Sequence, residues 1–137
     1  MAHIQAQIEE LKKQHDSRAA EMNQVMEQFG RLADNMGEYT RQKLENELVL
    51  KELQMLTDDS TVFKKVGGCL IKQDMFEATS NVEKRIEYIS QELNRIEDQK
   101  TKTEEKRSKL GKAISRIEGD LQHIMKSMAA AQEASKD

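Results

Sequence analysis

Residues 61–73 read Thr61-Val62-Phe63-Lys64-Lys65-Val66-Gly67-Gly68-Cys69-Leu70-Ile71-Lys72-Gln73. Two short runs rich in β-branched and apolar residues flank Gly67-Gly68, a pair suited to a primed two-residue turn. The stretch therefore predicts one hairpin of two strands. In the register such a turn sets, Val66 and Cys69 share one face while Phe63 and Leu70 share the other, so both faces carry apolar groups. A lone two-stranded hairpin is marginal in water, and its unpaired edges invite further strands. Val62, Phe63, Val66, Gly67, Gly68, Cys69, Leu70 and Ile71 are accordingly expected to form an oligomerisation surface, with hairpins of several chains closing into a β-barrel platform.

On either side of this stretch the apolar period changes from two to seven. From Ile4, alternating steps of four and three reach Ile8, Leu11, His15, Arg18, Met22, Val25, Phe29, Leu32, Met36 and Tyr39, the pattern of a coiled-coil seam. Beyond Tyr39 the strict repeat is lost among Leu44, Leu48, Leu50, Leu53 and Leu56. A first helix is expected over about residues 4 to 56, closed by the polar break Thr57-Asp58-Asp59-Ser60. Asp74 with Glu77 reads as a capping box that opens a second helix, expected over about 75 to 130. Its seam runs Val82, Ile86, Ile89, Leu93, Ile96, Lys100, Thr103, Arg107, Leu110, Ile114, Ile117, Leu121, Ile124 and Met128 without a slip. The polar run Lys100, Thr103 and Arg107 should lie near Leu32, Phe29 and Val25, and basic side chains there can lay their methylenes on apolar neighbours. The small and polar residues from Ala129 onward suggest fraying.

Two helices of about 50 residues, roughly 75 Å each at 1.5 Å per residue, can lie side by side. The expected fold is mainly α, one domain over residues 1–137: a long antiparallel coiled-coil helical hairpin with one β-hairpin between the helices and both termini at the other end. At that other end Ile4, Ile8 and Leu11 should meet Leu121, Ile124, Met125 and Met128. They are either ordinary seam residues closing the last turns or an adaptable apolar tip for unrelated apolar segments, since methionine fits many shapes.

Composition agrees with helices and argues against a conventional globule. Of 137 residues 36% are hydrophobic, 4% aromatic and 34% charged, and there is no proline, which leaves little for a compact core. The net charge of −3 comes from 25 acidic and 22 basic residues mixed along the chain, so neither nucleic acid nor an anionic membrane is an expected partner. The basic cluster Lys100, Lys102, Lys106, Arg107, Lys109 and Lys112 is interrupted by acids and lacks aromatic residues, which reads as a solvated helix face. A single cysteine, no secretory leader and no long apolar run predict a reducing, cytoplasmic setting.

Gly67-Gly68 lacks the downstream Gly-Lys-Ser/Thr of a phosphate loop. His3, His15 and His123 are too scattered for metal ligation, and Cys69 has no histidine nearby in sequence. Paired acids such as Glu9-Glu10 and Glu104-Glu105 read as solvated faces. No catalytic residue, metal site or cofactor is expected, and the chain is not expected to be an enzyme.

Arg41-Gln42-Lys43-Leu44-Glu45-Asn46-Glu47, then residues 61–74, then Glu83-Lys84-Arg85-Ile86-Glu87-Tyr88-Ile89 resemble the beta-type prefoldin subunits. The specific likeness covers residues 41–96; the flanking helices match in length and periodicity. The resemblance implies a subunit of an ATP-independent holding co-chaperone, a heterohexamer of two alpha-type and four beta-type subunits whose hairpins form a double barrel. It also implies that non-native polypeptides such as nascent actin and tubulin are captured at the coiled-coil tips, Ile4, Ile8, Leu11, Leu121, Ile124, Met125 and Met128, and passed to the cytosolic group II chaperonin. The competing reading is a structural coiled-coil tether, which would have no need of the hairpin.

Overall fold

The abundance of Glu, Lys, Gln, Leu and Met, all good helix formers, yields two long helices. In the computed structural model, which describes residues 2–136, α1 runs Ala2–Gln54, β1 Val62–Val66, β2 Cys69–Gln73 and α2 Met75–Ser135. The order is helix, antiparallel hairpin, helix, and the fold is mainly α. α2 continues through Ala129, Ala130 and Ala131 to Ser135 where fraying was expected, because alanine has the highest intrinsic helix propensity and outweighs the lack of apolar residues.

Both ends of the central connection have identifiable stops. α1 closes on tightened turns, with the Met55 N–H donating to the Glu52 carbonyl at 3.1 Å and the Leu56 N–H to the Leu53 carbonyl at 3.3 Å. The Ser60 N–H then donates to the Thr57 carbonyl at 3.0 Å. α2 opens on Asp74, whose carboxylate accepts from the Glu77 N–H at 3.3 Å, satisfying one of the donors a helix start leaves unpaired.

The described residues divide into two compact units, one built from residues up to 31 and from 100 onward, the other from 32–99. In the first unit the helices run antiparallel. His15 Nε2 lies 3.1 Å from Glu118 Oε1, Gly111 lies beside Met22, and the Lys100 ammonium sits 5.9 Å above the Phe29 ring. Partners thus rise along α1 as they fall along α2. Val25, Leu110 and Ile117 are buried here. The polar seam positions resolve individually. Lys100 places its charge on an aromatic face, a favourable cation–π contact; Thr103 is buried; Arg107 turns outward to Glu104 at 3.4 Å. Arg18, expected on the seam, is exposed, and Ala19 takes a half-buried place beside it.

In the second unit Leu32, Ala78, Val82, Ile89 and Ile96 are buried. The expected loss of register beyond Tyr39 does not occur. Lys43, Asn46, Leu50 and Leu53 are half-buried and continue the four–three stepping. Two polar residues hold seam positions, with Asn46 Nδ2 donating to the Gln42 carbonyl at 2.7 Å, while Leu44 and Leu48 leave the seam. Arg41 straps the outer surface, donating to Glu38 and to Glu45 at 2.6 Å each, pairs of the i,i+3 and i,i+4 kind that support a helix modestly. The Arg41 hydrogen bond holds the Glu38 carboxyl below its ordinary range. Burial beside Tyr88 and Glu92 pushes the Tyr39 hydroxyl upward.

Gly30 and Gly119 lie inside these helices with no atom within 4 Å of where a Cβ would stand. Alanine at either position is expected to raise stability by about 0.5–1 kcal/mol, since glycine loses more backbone freedom on joining a helix. Denaturant midpoints followed by helical circular dichroism measure this, and a lowered midpoint would show that the backbone there needs glycine.

Candidate functional site: an open hairpin and an apolar groove

Two surfaces carry the residues singled out from sequence. The first is the hairpin. Its pairs are Val62 with Gln73, Phe63 with Lys72, Lys64 with Ile71, Lys65 with Leu70, and Val66 with Cys69. Gly67 has φ +61° and Gly68 does not share that sign, which is the II′ pattern whose twist matches the strands. Because paired residues share a face and neighbours alternate, Val62, Lys64, Val66, Cys69, Ile71 and Gln73 form one face. Phe63, Lys65, Leu70 and Lys72 form the other.

Both faces are open. Of the hairpin's strand residues only Val62 and Gln73 are half-buried, while Phe63 is 55%, Leu70 69% and Ile71 53% exposed. The sheet has just these two strands among the described residues, so each strand has a free edge. Cys69 is a free, exposed thiol.

The exposure extends to the helices of the same unit. Among the described residues, eleven of the thirteen exposed large hydrophobic side chains fall between Leu44 and Tyr88. Leu44, Leu48 and Met55 recur at steps of four and seven on the side of α1 turned away from the seam, and Phe76 in the first turn of α2 is 82% exposed. Sequence reading missed these four. Leu44 and Leu48 stand in the sequence among the leucines that break the strict repeat, whereas Met55 and Phe76 belong to no seam there.

The second surface lies in the other unit. Ile4, Ile124 and Met128 come together with Gln7, Ser127 and Ala131 around a groove of about 350 Å³. Leu11 faces Ile124 across a neighbouring depression, and Leu121 and Met125 line a third along α2. Ile4, Ile8, Leu11, Leu121, Ile124 and Met128 are all half-buried, unlike Val25 or Ile117 further along the same pairing. Met125 is exposed at 53%, on the flank of the seam.

Among the described residues no cluster of three or more His, Cys, Asp or Glu side chains is arranged to hold a metal ion. No described helix is long and apolar enough to cross a membrane. The neighbouring acid Glu38 raises Arg41 above its ordinary value, through the hydrogen bond it accepts from the guanidinium, and this group serves the helix surface described above.

Helix, hairpin and helix match known proteins in sequence as well as in outline. The sequence profile described as prefoldin subunit matches residues 16–117. The chain belongs to the prefoldin subunit family. Among its curated relatives, prefoldin subunit 6 of Arabidopsis thaliana is 38% identical over 124 residues, 90% of this chain and 96% of that one. Prefoldin subunit 6 of Homo sapiens is 33% identical over 96 residues, covering 66% of this chain and 74% of the human one. The crystal structure of the prefoldin beta subunit from Thermococcus strain KS-1 has a similar fold, with a TM-score of 0.69 at 24% identity over 79% of this chain and 92% of that one. The likeness read from residues 41–96 is thus present in sequence, to relatives named prefoldin subunit 6, and the beta subunit shares the fold. The prefoldin family is one of chaperone co-factor subunits that form complexes with one another.

Proposed function

We propose that this chain acts as one beta-type domain of an ATP-independent holding co-chaperone in the cytosol, joining two alpha-type and three further beta-type subunits through its hairpin. The concentration of exposed apolar side chains between Leu44 and Tyr88 carries this reading. A monomer seldom keeps so large an apolar surface uncovered, and a two-stranded sheet open on both faces gains stability by adding strands. Closing a barrel of such hairpins removes the free edges.

Client capture falls to the groove around Ile4, Ile124 and Met128, together with Ile8, Leu11, Leu121 and Met125. Its walls are apolar, and its methionines adapt to unrelated segments. Each contact with a non-native chain such as nascent actin or tubulin is weak. Several subunits sharing one platform raise the effective concentration of the remaining contacts, so holding is firm while release to the group II chaperonin proceeds stepwise without nucleotide.

The complex containing Ile4→Ser, Ile124→Ser and Met128→Ser is expected to keep its native mass and to lose several-fold in suppressing aggregation of chemically unfolded actin, because avidity multiplies small losses. Undiminished suppression by an intact complex would remove the groove from client holding.

A further inference from the structure

Lys64 stands where an assembly surface should be apolar. On its face of the hairpin Val62, Val66, Cys69 and Ile71 surround it, and its cross-strand partner is Ile71. This is the more apolar of the two faces, and its base, Val62 and Gln73, is already half-buried, which makes it the inward face. Lys65 and Lys72 lie on the other face, where charge stays in solvent. Lys64 takes part in no ion pair among the described residues. Residues 61–73 contain three lysines and no acid, in a chain whose net charge is −3.

A second copy of this hairpin laid on that face, or added antiparallel along β1, would bring Lys64 against Lys64 and offer no carboxylate to either. Covering an ammonium requires a partner charge or a route to water, and an inward-pointing charge is a known way for a strand to refuse its own kind. We propose that Lys64 selects the neighbouring subunit: it excludes a second copy of this chain and accepts a hairpin that carries an Asp or Glu on its own inward face. The inference rests on the assembly reading above and specifies its partner by charge.

The test measures native mass by light scattering for the chain alone, and co-purification with its co-expressed sister subunits, in wild type and in single variants. Wild type alone is expected to keep the mass of a single chain at every concentration measured, whereas Lys64→Met alone is expected to self-assemble within that range, once the repulsion is gone. Lys64→Glu is expected to lose about tenfold in recovery with the sister subunits, and Lys65→Glu, the same charge change on the other face, to stay within about twofold. Equal recovery of Lys64→Glu and wild type, or equal losses at Lys64 and Lys65, would overturn the inference, as would self-assembly of the wild type. Ile71→Asp separates the two levels. If it leaves the complex intact, the hairpin assembly itself fails; if it dissociates the complex while Lys64→Glu does not, only the selection by charge fails.

Discussion

Replacing Ile71 by Asp is expected to release the chain from its complex while leaving its helices paired. Ile71 is 53% exposed in the single chain, so folding of the chain depends little on it. In the proposed barrel the same side chain is covered on the apolar face it shares with Val62, Val66 and Cys69. Losing the half of its surface that assembly newly buries forfeits about 1–1.5 kcal/mol, and an unpaired carboxylate there adds several more. The sum corresponds to about a thousandfold or greater loss of affinity. Phe63→Asp examines the opposite face in the same way. Light scattering of the purified complex should show it shrink, with helical circular dichroism nearly unchanged. A complex of undiminished mass with both substitutions would favour a tether whose helices do all the pairing.

The second large effect concerns the chain itself. Ile96 is 3% exposed on the α2 seam, and Ile96→Ala is expected to cost about 2–4 kcal/mol through lost burial and the cavity left behind. Leu44→Ala should change the isolated chain by less than about 0.5 kcal/mol, since that side chain is 57% exposed and surface substitutions are near neutral. Denaturation of the isolated variants compares the two directly. A Leu44 loss as large as that at Ile96 would mean the seam passes through Leu44 after all.

That pair of residues also marks the limit of what the sequence disclosed. The hairpin was legible because Gly67-Gly68 admits a turn that few other pairs do, and the start of α2 because Asp74 and Glu77 stand at capping distance. The α2 seam was legible because, Thr103 apart, its buried residues are apolar ones. On α1 beyond Tyr39 this coincidence fails. Lys43 and Asn46 occupy the seam by geometry alone, while Leu44, Leu48 and Met55, which a reader of apolar residues follows, point elsewhere. A sequence records the burial of a residue wherever it occurs, within the chain or against another, and periodicity cannot separate the two. Similarly, Lys100 reads as a polar defect until Phe29 is seen beneath it. Of the groove's lining, Ile4, Ile124 and Met128 were legible as seam residues, whereas the contribution of Ala131 depends on α2 continuing past the point where apolar residues stop.

The hairpin is joined to its two helices unequally. Seven residues, 55–61, separate α1 from β1, but Asp74 alone separates β2 from α2, and Asp74 is itself tied by its carboxylate to the Glu77 N–H and by its carbonyl to the Ala78 N–H at 2.9 Å. One attachment is a tether with slack and the other a welded joint. Torque arriving at the sheet is therefore borne first by α2, while α1 follows through its side-chain contacts with α2. The element that carries load and the element that gives are set by a difference of six residues in the length of two connections.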